Sequence, residues 1–225
     1  MEHRDVPYEI QKYSQSRMLR RLFSGSGRFV GVRNLPHAFD SFFSAVSRKT
    51  FNIHPQKPFI PYSAVAALQD VISSNQVIVE VGSGMSTLWL GSRVRKVVSF
   101  EWNPEWYGRI KSELARKRLS NVDLRLCVGR EQMGFRDVKE SSVDLAFIDG
   151  GPRSLCLRNL WRKVKPGGFF YLDNWDSDLF WLEGGCNARQ FIVGRSEEIA
   201  SLEIFIDYVP AYVNVCEGLI IQKKK

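Results

Sequence analysis

No apolar run in this chain of 225 residues approaches the roughly 20 needed to span a bilayer. A secretory core is missing too, because Arg17, Arg20 and Arg21 interrupt the one N-terminal candidate. The expectation is a soluble, cytoplasmic protein. Cysteine is scarce: Cys127, Cys156, Cys186 and Cys216 stand singly, with no Cys-x-x-Cys or Cys-His pairing. That excludes the common zinc spacings and a disulfide framework, leaving reduced thiols. Histidine is scarcer. His3, His37 and His54 have no carboxylate at metal-ligand spacing and read as structural or surface residues.

Charge is distributed unevenly. The formal net charge is +8, yet an excess near +6 falls in residues 1–60 and three more lysines end the chain at Lys223-Lys224-Lys225. The middle is close to neutral, whereas a cleft built to track phosphates carries its cations around itself. Nucleic acid is therefore an unlikely substrate. What the chain does have is 44% hydrophobic and 12% aromatic residues, enough for a packed core. Its length suits one α/β domain with an appendage.

The rest is organised around Val77-Ile78-Val79-Glu80-Val81-Gly82-Ser83-Gly84-Met85-Ser86-Thr87-Leu88-Trp89-Leu90. A β-branched run stops, passes a Gly-x-Gly turn and resumes as an apolar helix, the order that opens a nucleotide-binding α/β unit. As a dinucleotide fingerprint the loop fails at Thr87. As Glu-x-Gly-x-Gly-x-Gly it fits, with Ser86 in place of the last glycine. Ser86 or Thr87 is placed to cap the following helix. A bare strand-to-helix turn is the alternative without a ligand.

Along the chain, residues 1–16 read as irregular and Arg17–Phe23 as a short basic amphipathic helix ended by Ser24-Gly25-Ser26-Gly27. It either packs on the domain or touches an anionic surface such as a membrane face. Phe39, Phe42, Phe43 and Val46 predict a second helix whose stripe needs cover from the domain or from a partner. A proline-rich lead-in, residues 55–62, precedes a helix over 63–72. Strand two, Lys96–Phe100, ends in Glu101, 21 residues beyond Glu80, the separation at which an acid reaches a ribose diol. Trp102 beside it is placed to lie on an adenine. Asn103-Pro104-Glu105 starts a helix with Trp106, Ile110 and Leu114 inward. Strand three, Asp123–Val128, turns at Gly129-Arg130, where an adenine edge would be read. Strand four, Val143–Ile148, ends in Asp149, and a helix follows over 153–164. Strand five, Phe169–Leu172, leads to Asp173-Asn174-Trp175-Asp176. Two last strands, Glu203–Tyr208 and Gly218–Gln222, joined by 209–217, close an α/β, doubly wound, mostly parallel seven-stranded sheet. The expected division is a basic helical extension over 1–57 and one domain over 58–225.

The order Glu-Val-Gly-Ser-Gly, Glu101, Phe-Ile-Asp-Gly, Lys-Pro-Gly-Gly and a terminal strand pair resembles class I S-adenosylmethionine-dependent methyltransferases over about residues 58–222. Pro-Phe-Ile-Pro-Tyr, Gly-Ser-Gly-Met-Ser-Thr-Leu-Trp-Leu and Ser-Phe-Glu-Trp-Asn-Pro-Glu-Trp-Tyr look more specifically like a bacterial branch. Its members often have no assigned substrate, and some are associated with sugar or polysaccharide pathways. The resemblance implies that Glu80, Gly82, Ser83, Gly84 and Ser86 cradle the methionine part of S-adenosylmethionine. It implies that Glu101 holds the ribose, that Trp102, Gly129 and Arg130 surround the adenine, and that Asp149 stands beside the methyl donor.

For chemistry, Asp149, Asp173 and Asp176 are the nearby acids, and Asp149, Asp173 and Asn174 are the catalytic candidates. Those three also resemble the magnesium ligands of catechol-type O-methyltransferases. Those enzymes, however, carry a lysine shortly after the first aspartate, and here Gly151-Pro152-Arg153 follows. Magnesium is possible but not favoured. No Asn/Asp-Pro-Pro-Tyr motif suggests amino-group transfer. The expectation is O-methylation of a small-molecule or glycan hydroxyl, with oligomeric state open. The alternatives are a cofactor-binding but silent partner subunit, an RNA methyltransferase and a dinucleotide oxidoreductase. The basic N-terminal helices offer a possible peripheral membrane or protein contact.

Overall fold

The computed structural model describes residues 16–129, 134–176 and 188–225. Seven strands form one sheet: β1 (Val77–Val81), β2 (Lys96–Glu101), β3 (Val122–Leu126), β4 (Val143–Ile148), β5 (Val164–Asp173), β6 (Ile199–Val209) and β7 (Tyr212–Lys223). The helices are α1 (His37–Phe51), α2 (Tyr62–Val71), α3 (Met85–Gly91), α4 (Pro104–Arg116), α5 (Arg153–Leu160) and α6 (Ala188–Val193). The strand order is β3-β2-β1-β4-β5-β7-β6. The first five run parallel and β7 returns antiparallel between β5 and β6. This is the predicted doubly wound sheet.

Both faces are covered, which is why the parallel strands are nearly all apolar. Alternation along β1 sends Ile78 to one side, among Val65, Leu68 and Leu90 of α2 and α3. Val79 and Val81 go to the other, with Leu157, Leu160 and Trp161 of α5 and its end. Each fully buried aliphatic here, such as Ile78 or Leu157, contributes on the order of 2 kcal/mol. Winding reverses where β1 and β4 lie side by side, so the crevice for a ligand opens at their carboxyl ends.

Three expectations change. Residues 209–217 are not a loop: β6 and β7 are joined through Pro210 and Ala211, the latter at φ +66°. Asn214 and Glu217 hide the alternation, but Val215 is buried with Tyr208 and Val30, under the N-terminal segment. The predicted helix over Arg17–Phe23 is only one 3₁₀ turn, Leu19–Arg21, with Met18 exposed. It is pinned instead by tertiary bonds. Arg20 Nη1 and the Gly25 amide both donate to buried Asp176, at 2.5 and 2.6 Å. A Cβ at Gly25 would lie 2.6 Å from that carboxylate. Ser24 donates to buried Glu217 at 2.6 Å. Finally, α1 forms as predicted, but Phe39, Phe42, Phe43 and Val46 all face solvent while Ser41 and Ala45 face the domain.

Candidate active site

The glycine loop follows β1 and meets the turn after β4. Gly82 has φ +89°, and a Cβ there would lie 2.9 Å from both N and Cα of Gly150. Two backbones thus touch across the switch point, an approach only glycine permits. Gly84 is different: an added Cβ meets nothing nearer than 3.6 Å, so this part of the loop opens to a ligand. Gly82→Ala is expected to lose at least about 3 kcal/mol in urea unfolding, adding left-handed strain to overlap with backbone. Gly84→Ala, extended at φ −173°, stays within about 1 kcal/mol of wild type.

Glu80 is wholly buried. Thr87 Oγ1 and Ser99 Oγ donate to its Oε2 at 2.6 and 2.5 Å, while Oε1 has no partner. Burial pushes the carboxyl up to about 7, against the pull of the nearby Ser86 hydroxyl and of the hydrogen bonds from Ser99 and Thr87. Thr87 also accepts from the Gly84 amide at 2.8 Å, so the capping residue and the buried acid share one hydroxyl. Ser83 is buried as well, and its hydroxyl lies 2.9 Å from that of Ser99.

Glu101 ends β2 as predicted, and its carboxylate is well occupied. Oε2 accepts the Ser83 amide at 2.9 Å; Oε1 accepts those of Trp102 and Asn103, both at 2.8 Å. Of about four acceptor positions on a carboxylate, one remains, on Oε2. Glu101 therefore ties the glycine loop to the β2 turn and keeps room for a single hydroxyl. Trp102 is half-buried against the turn at Gly151, with its indole Nε1 buried and unpartnered. Trp106 is only half-buried, and its Nε1 donates to the Ser83 carbonyl at 2.6 Å. It braces the loop while also packing, as predicted, against the cluster of Leu88, Ile110 and Leu114. Gly129 is exposed at the end of β3; Arg130 lies outside the described residues.

Asp149 and Asp173 stand together at the ends of β4 and β5. Desolvation, and then the Asp173 charge, raise Asp149 well above the usual carboxylate range. Desolvation also raises Asp173, opposed by Arg153 and by hydrogen bonds from Asp149 and Tyr171. Two close carboxyls in one cleft disfavour a second charge, so the pair holds one proton between them. Tyr171 Oη donates to Asp173 Oδ1 at 2.8 Å. The third candidate, Asn174, takes a left-handed φ of +52°, which asparagine tolerates.

Arg153 gathers these groups. Its Nε donates to the Asp173 carbonyl at 2.8 Å, and Nη2 donates to Asn174 Oδ1 at 3.0 Å and the Asp149 carbonyl at 3.3 Å. Nη2 is also 4.0 Å from Asp149 Oδ1. The guanidinium thus supplies positive charge among the three oxygen-bearing side chains compared above with a magnesium set. Asp176 is separated from this group by its bonds to Arg20 and Gly25. It anchors the N-terminal segment and is not a free base.

Sequence reasoning brought Glu80, Gly82, Ser83, Gly84, Ser86, Glu101 and Trp102 to one crevice, and Asp149, Asp173 and Asn174 to its far side. It missed Ser99, Trp106, Tyr171 and Arg153. Tyr171 carried a signal, since i and i+2 on a strand share a face. Ser99 is also a lone hydroxyl in an otherwise apolar strand.

With this geometry in view, comparison with known proteins is informative. A family model for a methyltransferase domain matches residues 79–175. No curated protein matches the chain. Among solved structures, an rRNA methylase from Streptococcus thermophilus has a TM-score of 0.56 at 16% identity, covering 73% of this chain and 96% of that one. A putative O-methyltransferase from Klebsiella pneumoniae has a TM-score of 0.56 at 18% identity, covering 72% and 78%. An S-adenosylmethionine-dependent O-methyltransferase from Thermotoga maritima has a TM-score of 0.54 at 18% identity, covering 81% and 71%. At such identities the likeness speaks to the fold. The strand order and the glycine crevice agree with the family match, which identifies residues 79–175 as a methyltransferase domain within this seven-stranded fold.

Proposed function

We propose that the protein methylates a hydroxyl oxygen on a small molecule or glycan. The observation that carries this reading is the proton-sharing Asp149–Asp173 pair under Arg153. A hydroxyl must lose its proton as its oxygen is methylated, and a base works best when its pKa lies near the working pH. Desolvation raises both carboxyls, and the Arg153 charge opposes that rise. Tyr171 fixes Asp173, leaving Asp149, with about a quarter of its side chain exposed, to face an acceptor.

The residues also fit S-adenosylmethionine, whose bound sulfonium supplies an electrophilic methyl group. Glu80 Oε1, buried without a partner, is placed to accept the ammonium of its methionine part. Gly82, Ser83, Gly84 and Ser86 form the surrounding cradle. Glu101 has one acceptor position for a ribose hydroxyl, and the unpartnered indole of Trp102 walls the adenine side.

The test uses S-adenosylmethionine labelled in the methyl group, with bacterial extracts separated into small-molecule, polysaccharide and RNA fractions. Label is expected in a small-molecule or polysaccharide fraction, as an ether that survives mild base. Asp149→Asn is expected to lower transfer by about a hundredfold with S-adenosylhomocysteine binding retained. Label confined to RNA, or full transfer by Asp149→Asn, overturns the reading.

A further inference from the structure

The helix α1 is built inside out. Its inward face is made of small and polar side chains, and its outward face of large apolar ones. Ser41 Oγ donates to the Val209 carbonyl at 3.0 Å, and Ser44 Oγ accepts from the Ala211 amide at 2.8 Å. His37 Nδ1 lies 2.8 Å from buried Asp207, and Arg48 covers the Tyr212 ring at 4.0 Å. These bonds fix the helix rotation on the β6–β7 turn. Phe39, Phe42 and Phe43 are then 69%, 52% and 65% exposed. Water alone would favour the opposite arrangement.

The same segment collects most such surface. Of fourteen exposed large hydrophobic residues among those described, ten lie between Met18 and Ile53. They alternate with cations. Residues 16–57 hold eight Lys and Arg against one acid, Asp40. Arg17, Arg21, Arg28, Arg33, Lys49 and Lys57 are all exposed.

We propose that this face docks on an anionic lipid surface, with α1 lying in the headgroup plane and its phenylalanines inserted. The charge decides the occupant. A second copy of the chain would set like charges against each other, whereas an anionic bilayer answers both features at once, taking the rings into its boundary and the cations at its headgroups. An exposed apolar patch with a polar rim marks an interaction site, and cations of one sign around it favour an anionic surface.

Position gives docking a consequence. Gly218 of β7 pairs with Asp173, the last residue of β5, so Tyr212–Glu217 project beyond the edge where Asp149 and Asp173 stand. The helix sits on that projection. On the function proposed above, docking therefore holds the acceptor end of the cleft beside the membrane.

The experiment is co-sedimentation of the full chain with vesicles of mixed phosphatidylglycerol and phosphatidylcholine, and with phosphatidylcholine alone, at low and high salt. Binding is expected to anionic vesicles, at least about tenfold tighter than to neutral ones, and weakened by salt. Phe42→Ser with Phe43→Ser, and separately Arg33→Glu with Lys49→Glu, are each expected to lower it about tenfold or more. All four side chains are exposed, and unchanged thermal midpoints and circular dichroism would show the fold intact. Removing Lys223–Lys225 is expected to leave most of the binding. Three outcomes overturn the proposal: no binding to anionic vesicles, wild-type binding by the phenylalanine variant, or a lipid-free dimer that the phenylalanine variant dissolves while neither form binds vesicles.

Discussion

An Arg153→Met variant is expected to lose about a hundredfold or more in turnover, the scale of removing one preorganised charge from an active site. The side chain holds Asn174 and the backbone of Asp149 and Asp173 in one fork, and it is the cation nearest the paired carboxyls. Methionine keeps much of the length and none of the charge. Stability should fall by about 2 kcal/mol, below the value for a fully buried pair because Arg153 and Asp149 are each 27% exposed. The pH dependence separates this from simple loss of packing. Asp149 and Asp173 already have folded pKa values raised above their unfolded ones, so they favour the fold in acid and cost stability as pH rises. Without Arg153 both rise further. The deficit should therefore be largest at alkaline pH and shrink on acidification, in urea melts of both proteins. Magnesium gives a second readout. The variant leaves Asp149 and Asn174 oxygens without their cation, and hard oxygen ligands suit magnesium. Millimolar magnesium should raise the thermal midpoint of the variant and leave that of wild type unchanged. Wild-type turnover in Arg153→Met would remove Arg153 from the chemistry.

The sheet was legible because its signals are local. Each of β1, β2 and β4 is a short apolar run ended by an acid or glycine, and each is followed by a cap or turn that names the next helix. The glycine loop was legible for the same reason: strand, turn and helix start lie within fourteen consecutive residues. Roles that depend on register were not. Ser99 matters because parallel pairing sets it opposite Glu80, and nothing in its own neighbours shows that. Arg153 was noticed only for not being lysine, since its four-residue distance from Asp149 looks ordinary at a helix start. The N-terminal segment was hardest. Arg20 meets Asp176 across 156 positions of sequence, and Ser24 meets Glu217 across 193. Those bonds replace the helix that the local pattern predicts. In α1 the periodicity found the helix and the stripe, yet periodicity cannot say which face meets the domain. Ser41 and Ser44, bonding to the β6–β7 turn, decide it.

Glu80→Gln is expected to give a protein that is more stable than wild type above neutral pH and nearly unable to hold the cofactor. The carboxyl is buried with one oxygen satisfied and the other unpartnered, and its pKa is raised from the ordinary 4.5 to about 7. A folded pKa above the unfolded value means the neutral acid is compatible with the fold and the carboxylate is not. Stability is full below the unfolded pKa and is lost as pH climbs from about 4.5 through 7. At one pKa unit per 1.36 kcal/mol the loss is on the order of 3 kcal/mol once the group is ionised. Glutamine retains an oxygen for Thr87 and Ser99 but carries no proton to lose. The two proteins should therefore unfold alike near pH 5 and diverge toward pH 8. Cofactor binding should move the other way. If the charged Glu80 Oε1 takes the ammonium of S-adenosylhomocysteine, wild-type affinity increases from about pH 6 to 8, and the variant binds about a hundredfold less tightly at the upper end. Calorimetric titration at both pH values reads this directly. Equal pH dependence of stability in the two proteins would mean that Glu80 is not raised. Unchanged affinity would mean that its free oxygen faces no cofactor. The opposed signs are the physical point: the charge that costs the empty fold most is the one the ligand needs, so selection for binding keeps at this position a residue that selection for stability alone would replace.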